Sequence, residues 1–142
     1  MQDNDTKAMK NNKKNDTEGC PCGNQKPYKE CCQPYVEQLE NPATAEALMR
    51  SRYTAFVLNN EDYLRFSWHS DTCPKTIHLD AETKWLGLSI ISTEGGRVSD
   101  ENGRVEFVAR YKNSGKAVRI HENSRFTRFE DRWVYLDGKT SD

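Results

Sequence analysis

The chain has 142 residues, of which 30% are charged and 35% hydrophobic, and 21 Lys plus Arg offset 22 Asp plus Glu to a formal net charge of −1. That length holds one domain with a hydrophobic core and a small attachment, not two full domains. The charge balance excludes a global electrostatic pull toward nucleic acid or anionic membrane, and no run of about 18 apolar residues offers a membrane span.

Residues 1–18 carry four Asn, four Lys and four acidic residues. They hold almost nothing apolar to offset the entropy of ordering, so a disordered tail is expected. The same segment lacks the apolar stretch of a secretory signal, which points to a cytoplasmic location.

Residues 19–36 follow, with four of the five cysteines in the stretch CPCGNQKPYKECC from Cys20 to Cys32. The spacing is C-x-C-x8-C-C. In a reducing compartment such a cluster is metal-binding or redox-active rather than a disulfide framework. Adjacent Cys31 and Cys32 pair only through a strained ring, and the C-x-x-C of a redox site is absent. Four thiolates at Cys20, Cys22, Cys31 and Cys32 suit the tetrahedral preference of zinc, with iron as the alternative. Four protein ligands leave no open coordination position, so the expected role is structural. Lys26 and Lys29 lie inside the loop, where they offset the negative charge of a tetrathiolate and, with Pro27 and Tyr28, display a basic and aromatic surface.

Beyond the cysteines the pattern becomes helical. In NPATAEALMRSRYTAFVL, Ala45, Leu48, Met49, Tyr53, Phe56 and Val57 recur at three- and four-residue spacing after Thr44, a fitting N-cap. This predicts an amphipathic helix of roughly fourteen residues, with Glu46 and Arg50 as a surface pair. Asn59 or Asn60 then caps a shorter helix, EDYLRFSW, with Tyr63, Leu64 and Trp68 on one face.

From Trp85 the rhythm is that of strands. WLGLSII, GRVEFVARY, KAVRIHENSRFTRF and RWVYLDG are rich in β-branched and aromatic residues, and EGGRVSDENG, KNSG and EDR separate them as turns. Short connections between consecutive strands predict an antiparallel meander, in which Val105, Phe107, Ala109 and Tyr111 face the core. Helices followed by a sheet with one apolar face to cover give an α+β domain, its helices packed on one side.

Candidate catalytic groups are few. His69, Arg110 and Glu122 would serve as acid, base or anion clamp if they met at the mouth of a pocket. Against this stands a cross-strand ion pair between Arg110 and Glu122, with His69 merely packing near a helix end. His121 and Glu122 are neighbours in a strand and point to opposite faces, so they form no dyad. Isolated Cys73 and His78 read as packing or surface residues. The helical and strand phases of Arg50, Arg52, Arg110, Arg119, Arg125 and Arg128 scatter them over different faces, which argues against nucleic-acid contact by the main domain.

CPCGNQKPYKECC resembles the SEC-C motif, the metal-binding tail of the translocation motor SecA, in the variant that ends Cys-Cys. CCQPYVE, AEALMRSRYTAFV, DYL, SWH, WLGLSI, VEFVARY, HENSRF and RWVYLDG then resemble the YchJ family of uncharacterised bacterial proteins, over about residues 20–138. The resemblance implies a SEC-C zinc module at 19–36 joined to a nuclear-transport-factor-two-like domain at 40–139. That domain is a cystatin-like cone of N-terminal helices on a curved four-stranded antiparallel sheet. It further implies an accessory protein whose partner is a ribosome, a nascent chain or a chaperone. The second reading is a small-molecule enzyme, of hydrolase or isomerase type, with its pocket in the α+β domain.

Overall fold

The computed structural model describes residues 19–141. The segment 1–18, read above as a disordered tail, lies outside the described residues. After the cysteine loop, with its short 3-10 turn at Tyr28–Glu30, come α1 (Gln33–Val36), α2 (Ala45–Val57) and α3 (Glu61–Phe66). Four strands follow: β1 (Thr83–Gly95), β2 (Asn102–Asn113), β3 (Lys116–Phe129) and β4 (Arg132–Ser141).

The helices start where short polar side chains satisfy their orphan amides. Thr44 Oγ1 accepts from the Ala47 amide at 3.1 Å, and the Asn60 side chain accepts from the Tyr63 amide at 3.0 Å. Helix α3 is shorter than the pattern suggested. Ser67 Oγ folds back to the Tyr63 carbonyl at 2.7 Å, and the chain then leaves the helix to run beside β4. Trp68 bridges in parallel to Tyr135, with the Tyr135 amide donating to Ser67 O and the His69 amide to Tyr135 O, each at 2.8 Å. Trp68 therefore sits on a bridge rather than on a helical face.

The strands form one antiparallel sheet in the order β1-β2-β3-β4, as the meander reading expects. Register shifts between Trp85 and Gly87, between Ile90 and Ser92, and at Arg125 and Phe126 mark bulges, which let these long strands curve around the helices. The concave face carries Val105, Phe107, Ala109, Phe126 and Trp133 against Leu48, Met49 and Tyr53 of α2. Trp133 is fully buried, and its Nε1 donates to Ala43 O at 3.0 Å, tying β4 to the entry of α2.

Helix α2 differs from the amphipathic expectation in one respect. Ser51, Arg52 and Thr54 are buried along with its apolar residues. The cysteine loop and α3 cover the face that a one-sided helix leaves wet. Each buried polar group has a contact: Ser51 Oγ shares a hydrogen bond with the Tyr63 hydroxyl at 2.7 Å, and Thr54 Oγ1 lies 3.8 Å from Cys20 Sγ. Cys20, Cys22, Cys32 and Val36 belong to the same hydrophobic cluster as Leu48, Tyr53 and Tyr63. The cysteine loop is thus packed into the domain's core.

Candidate functional site

The cysteine loop is a tight knot. The Cys20 amide donates to Lys26 O at 2.7 Å and the Gly23 amide to Cys20 O at 3.0 Å, which folds the segment back on itself. Gly23 turns the chain at φ +84°, a conformation that favours glycine. The 3-10 turn at Tyr28–Glu30 then delivers Cys31 and Cys32 to the first pair. All four Sγ atoms lie within 4.8 Å of one another. Cys22 Sγ is 3.6 Å from Cys31 Sγ, and Cys31 Sγ is 3.9 Å from Cys32 Sγ. Sulfurs at zinc–thiolate bond length on a tetrahedron stand about 3.8 Å apart. The spacing fits a single ion held by four thiolates, and all five cysteines are free of disulfides.

The charges around the knot point the same way. Cys20 is held well below the usual thiol range by hydrogen bonds from Cys22 and Cys32. Cys22 is pushed up to about 12, first by its bond to Cys20 and then by burial, and Cys32 is pushed up by its bonds to Cys20 and Cys22. Thiols packed this closely oppose one another's ionisation, and four thiolates require a cation to replace their protons. Three polar groups reach sulfurs from outside: Asn24 Nδ2 to Cys31 at 3.8 Å, Thr54 Oγ1 to Cys20 at 3.8 Å and Arg50 Nη1 to Cys22 at 3.9 Å. Arg50 also donates to Cys22 O at 2.8 Å while pairing with Glu46 at 3.0 Å. The sequence reading assigned charge compensation to Lys26 and Lys29; both are exposed, and it is Arg50 that touches the cluster.

A second feature lies between α2 and the sheet. A cavity of about 300 Å³ is walled by Tyr53, Phe56, Trp68, Trp85, Phe107 and Tyr135, with Arg52, Glu122 and Ser124 among its lining. Arg52 is buried, and its Nη1 donates to Leu64 O at 2.9 Å and to Ser67 Oγ at 2.7 Å. Its guanidinium lies over the Trp68 and Tyr135 rings at 4.8 and 4.6 Å, and among the described residues no carboxylate comes within ion-pair reach. Burial pushes its pKa down to about 10. Glu122 Oε2 accepts from Ser124 Oγ at 2.7 Å and from the Tyr135 hydroxyl at 3.1 Å. Trp68 Nε1 is buried and has no hydrogen-bond partner among the described residues. Apolar walls with a few polar groups are the ordinary composition of a small-molecule site.

Of the three catalytic candidates only Glu122 reaches this cavity. Arg110 is exposed on the opposite face of the sheet, where its cross-strand neighbour is Arg119, so neither an anion clamp nor an ion pair with Glu122 forms. His69 stacks on Phe129 at 4.9 Å, and its Nδ1 accepts from the Asp71 amide at 3.0 Å. His121 and Glu122 do face opposite ways; His121 Nε2 instead meets Glu106 at 2.6 Å on the outer face. Cys73 is half-buried and His78 exposed. The expected scatter of the arginines needs correction. Arg50, Arg52 and Arg128 are dispersed, but Arg110, Arg119 and Arg125 share the outer face of the sheet. Sequence reasoning missed Arg52, Trp85 and Tyr135 as cavity residues; the one available signal was an arginine set among the apolar positions of α2.

A family model described as the middle NTF2-like domain of YchJ matches residues 44–138. A UPF0225 protein of Chromobacterium violaceum is 48% identical over 130 residues, covering 89% of this chain and 96% of its own. One from Cupriavidus pinatubonensis is 48% identical over 126 residues, covering 84% and 86%. The solution structure of a SEC-C motif containing protein from Rhodopseudomonas palustris superposes with a TM-score of 0.74 at 30% identity, covering 87% of this chain and 99% of that one. The crystal structure of a SEC-C motif containing protein from Psychrobacter arcticus gives 0.70 at 28% identity, covering 90% and 85%. Among the described residues no helix is long and apolar enough to cross a membrane.

Proposed function

Because the chain belongs to the YchJ family, we propose that it is a zinc-binding accessory protein of the bacterial cytoplasm, in which a SEC-C loop acts as a structural metal staple and docking surface for a protein partner. The observation that carries this reading is the convergence of Cys20, Cys22, Cys31 and Cys32 within 4.8 Å, packed into the core of the domain that follows. A four-thiolate tetrahedron with no open position suits a redox-inert ion, which favours zinc; iron in the same thiolates would announce itself by colour. The interior cavity supports a ligand-binding role for the α+β domain. An enzymatic role through His69, Arg110 and Glu122 has no support in the geometry, since the three do not meet.

Lys26 and Lys29 project from the outside of the knot. Of the ribosome, a nascent chain and a chaperone, the ribosome is the partner to test first, because it can be purified and pelleted. Removing the loop would open the shared core, so the informative variant is Lys26→Glu with Lys29→Glu in the full chain. We expect the unaltered protein to sediment with purified ribosomes and this variant to do so several-fold less. Equal sedimentation by both, or by neither, contradicts the docking role.

A further inference from the structure

The outer face of the sheet carries cations in an arrangement that strand pairing ordinarily avoids. Lys84 stands directly opposite Lys112, Arg110 opposite Arg119, and Arg104 opposite Arg125. Like charges in directly opposed positions destabilise a sheet. All six side chains are exposed, as is Lys139, opposite Asn123 on the same face. The paired outward positions hold three acids, Glu94, Glu106 and Asp137, so this face has a surplus of four positive charges in a chain whose total is −1. Two of the acids are engaged: Asp137 binds Arg125 and Glu106 meets His121, each at 2.6 Å. The rows Lys84–Lys112–Ala117 and Gly87–Arg110–Arg119 contain no acid at all.

We propose that this outer face docks the backbone of an A-form RNA duplex. Three features of the face select that occupant. The acid-free rows Lys84–Lys112–Ala117 and Gly87–Arg110–Arg119 carry no aromatic residue, whereas single strands are held by stacking on aromatic rings and protein interfaces centre on aromatic and apolar anchors. The core helix α2 packs on the other side of the sheet, so this face presents no helix to enter a B-DNA major groove. A-form RNA instead offers a wide, shallow minor groove read through phosphates and 2′-hydroxyls, which a broad cationic surface contacts without base recognition. Outward residues two apart on a strand are about 6.7 Å apart, so Lys112 and Arg110 reach successive points along such a backbone. The inference does not depend on the metal loop or its partner.

The test is fluorescence anisotropy with a labelled RNA hairpin of mixed sequence across a salt series. The four cations of the acid-free rows, Lys84, Arg110, Lys112 and Arg119, should contribute about −3 to −4 to the slope of log K against log salt. The quadruple variant K84Q/R110Q/K112Q/R119Q should bind at least about tenfold more weakly and with a slope shallower by about 3 to 4. Its melting temperature should be no lower than that of the unaltered protein, because two repulsive pairs are gone. R110K/R119K, which keeps the charges, should retain binding, as should K26E/K29E. Unchanged affinity in the quadruple variant overturns the proposal. So does equal binding of a DNA duplex of the same sequence, or competition by polyglutamate as effective as by RNA.

Discussion

Removing the metal should weaken the whole domain and not only the loop that holds it. Cys20, Cys22, Cys32 and Val36 are each less than a tenth exposed and share one cluster with Leu48, Tyr53 and Tyr63. Without an ion nothing ties the four sulfurs together, and the loop loses its closure. Loosening it uncovers Val36 and the flank of α2, a loss of about 4 kcal/mol for one aliphatic side chain and three small apolar ones. In a domain of this size each kcal/mol moves the melting temperature by about 4 °C, so chelation should lower it by roughly 15 °C. Differential scanning calorimetry with and without a strong chelator measures this directly. The shared core requires one endotherm that moves as a unit. A main endotherm that stays in place after metal is shown to be gone would refute the coupling and make the loop a separate bead.

Three further outcomes are expected. Gly103→Ala should cost about 2–3 kcal/mol in urea unfolding, because the added Cβ would stand 2.5 Å from Gly96 Cα and 2.7 Å from its nitrogen, both backbone atoms; an unchanged midpoint would show that the close approach of the two chain segments is not real. Arg50→Gln should speed metal transfer to a chelator about tenfold, since it removes the donor to Cys22 O and Sγ; an unchanged transfer rate would limit Arg50 to its pair with Glu46. Burial pushes both Tyr53 and Tyr63 up to about 12. Phenols whose folded pKa lies above the unfolded value near 10 contribute stability that is complete below pH 10 and fades as pH rises toward 12. Ultraviolet titration should accordingly show these two ionising late, together with Tyr35 and Tyr135, which burial also pushes up, with stability falling over that interval, and normal titration of all six tyrosines would contradict their burial.

Most of the architecture was legible because it rests on local signals. Thr44 and Asn60 marked helix starts through their own side-chain chemistry, and the alternation through Val105, Phe107 and Ala109 defined the inner face of β2 before any partner was known. The four metal-ligand candidates were legible for the same reason, since their spacing is a local property of one loop. What stayed hidden depends on long-range packing. Ser51, Arg52 and Thr54 read as the wet side of a helix, and only the docking of the cysteine loop and α3 turns that side inward. Arg110 and Glu122 were paired in expectation because both are strand residues of opposite charge; the register sets Arg110 against Arg119 and turns Glu122 to the other face. That same register gathers Arg104, Arg110, Arg119 and Arg125 on one surface. Phase within a strand is readable from sequence, but which charges become cross-strand neighbours is decided by turn length and bulges.

The central claim is that four thiolates of this chain hold one structural metal ion. Metal analysis of the purified protein combined with X-ray absorption at the bound metal's edge tests it in one preparation. The account predicts close to one zinc per chain, with four sulfur neighbours at about 2.3 Å and no oxygen or nitrogen ligand. Metal-free protein with four titratable thiols at Cys20, Cys22, Cys31 and Cys32, or an ion with a water in its coordination sphere, would contradict it.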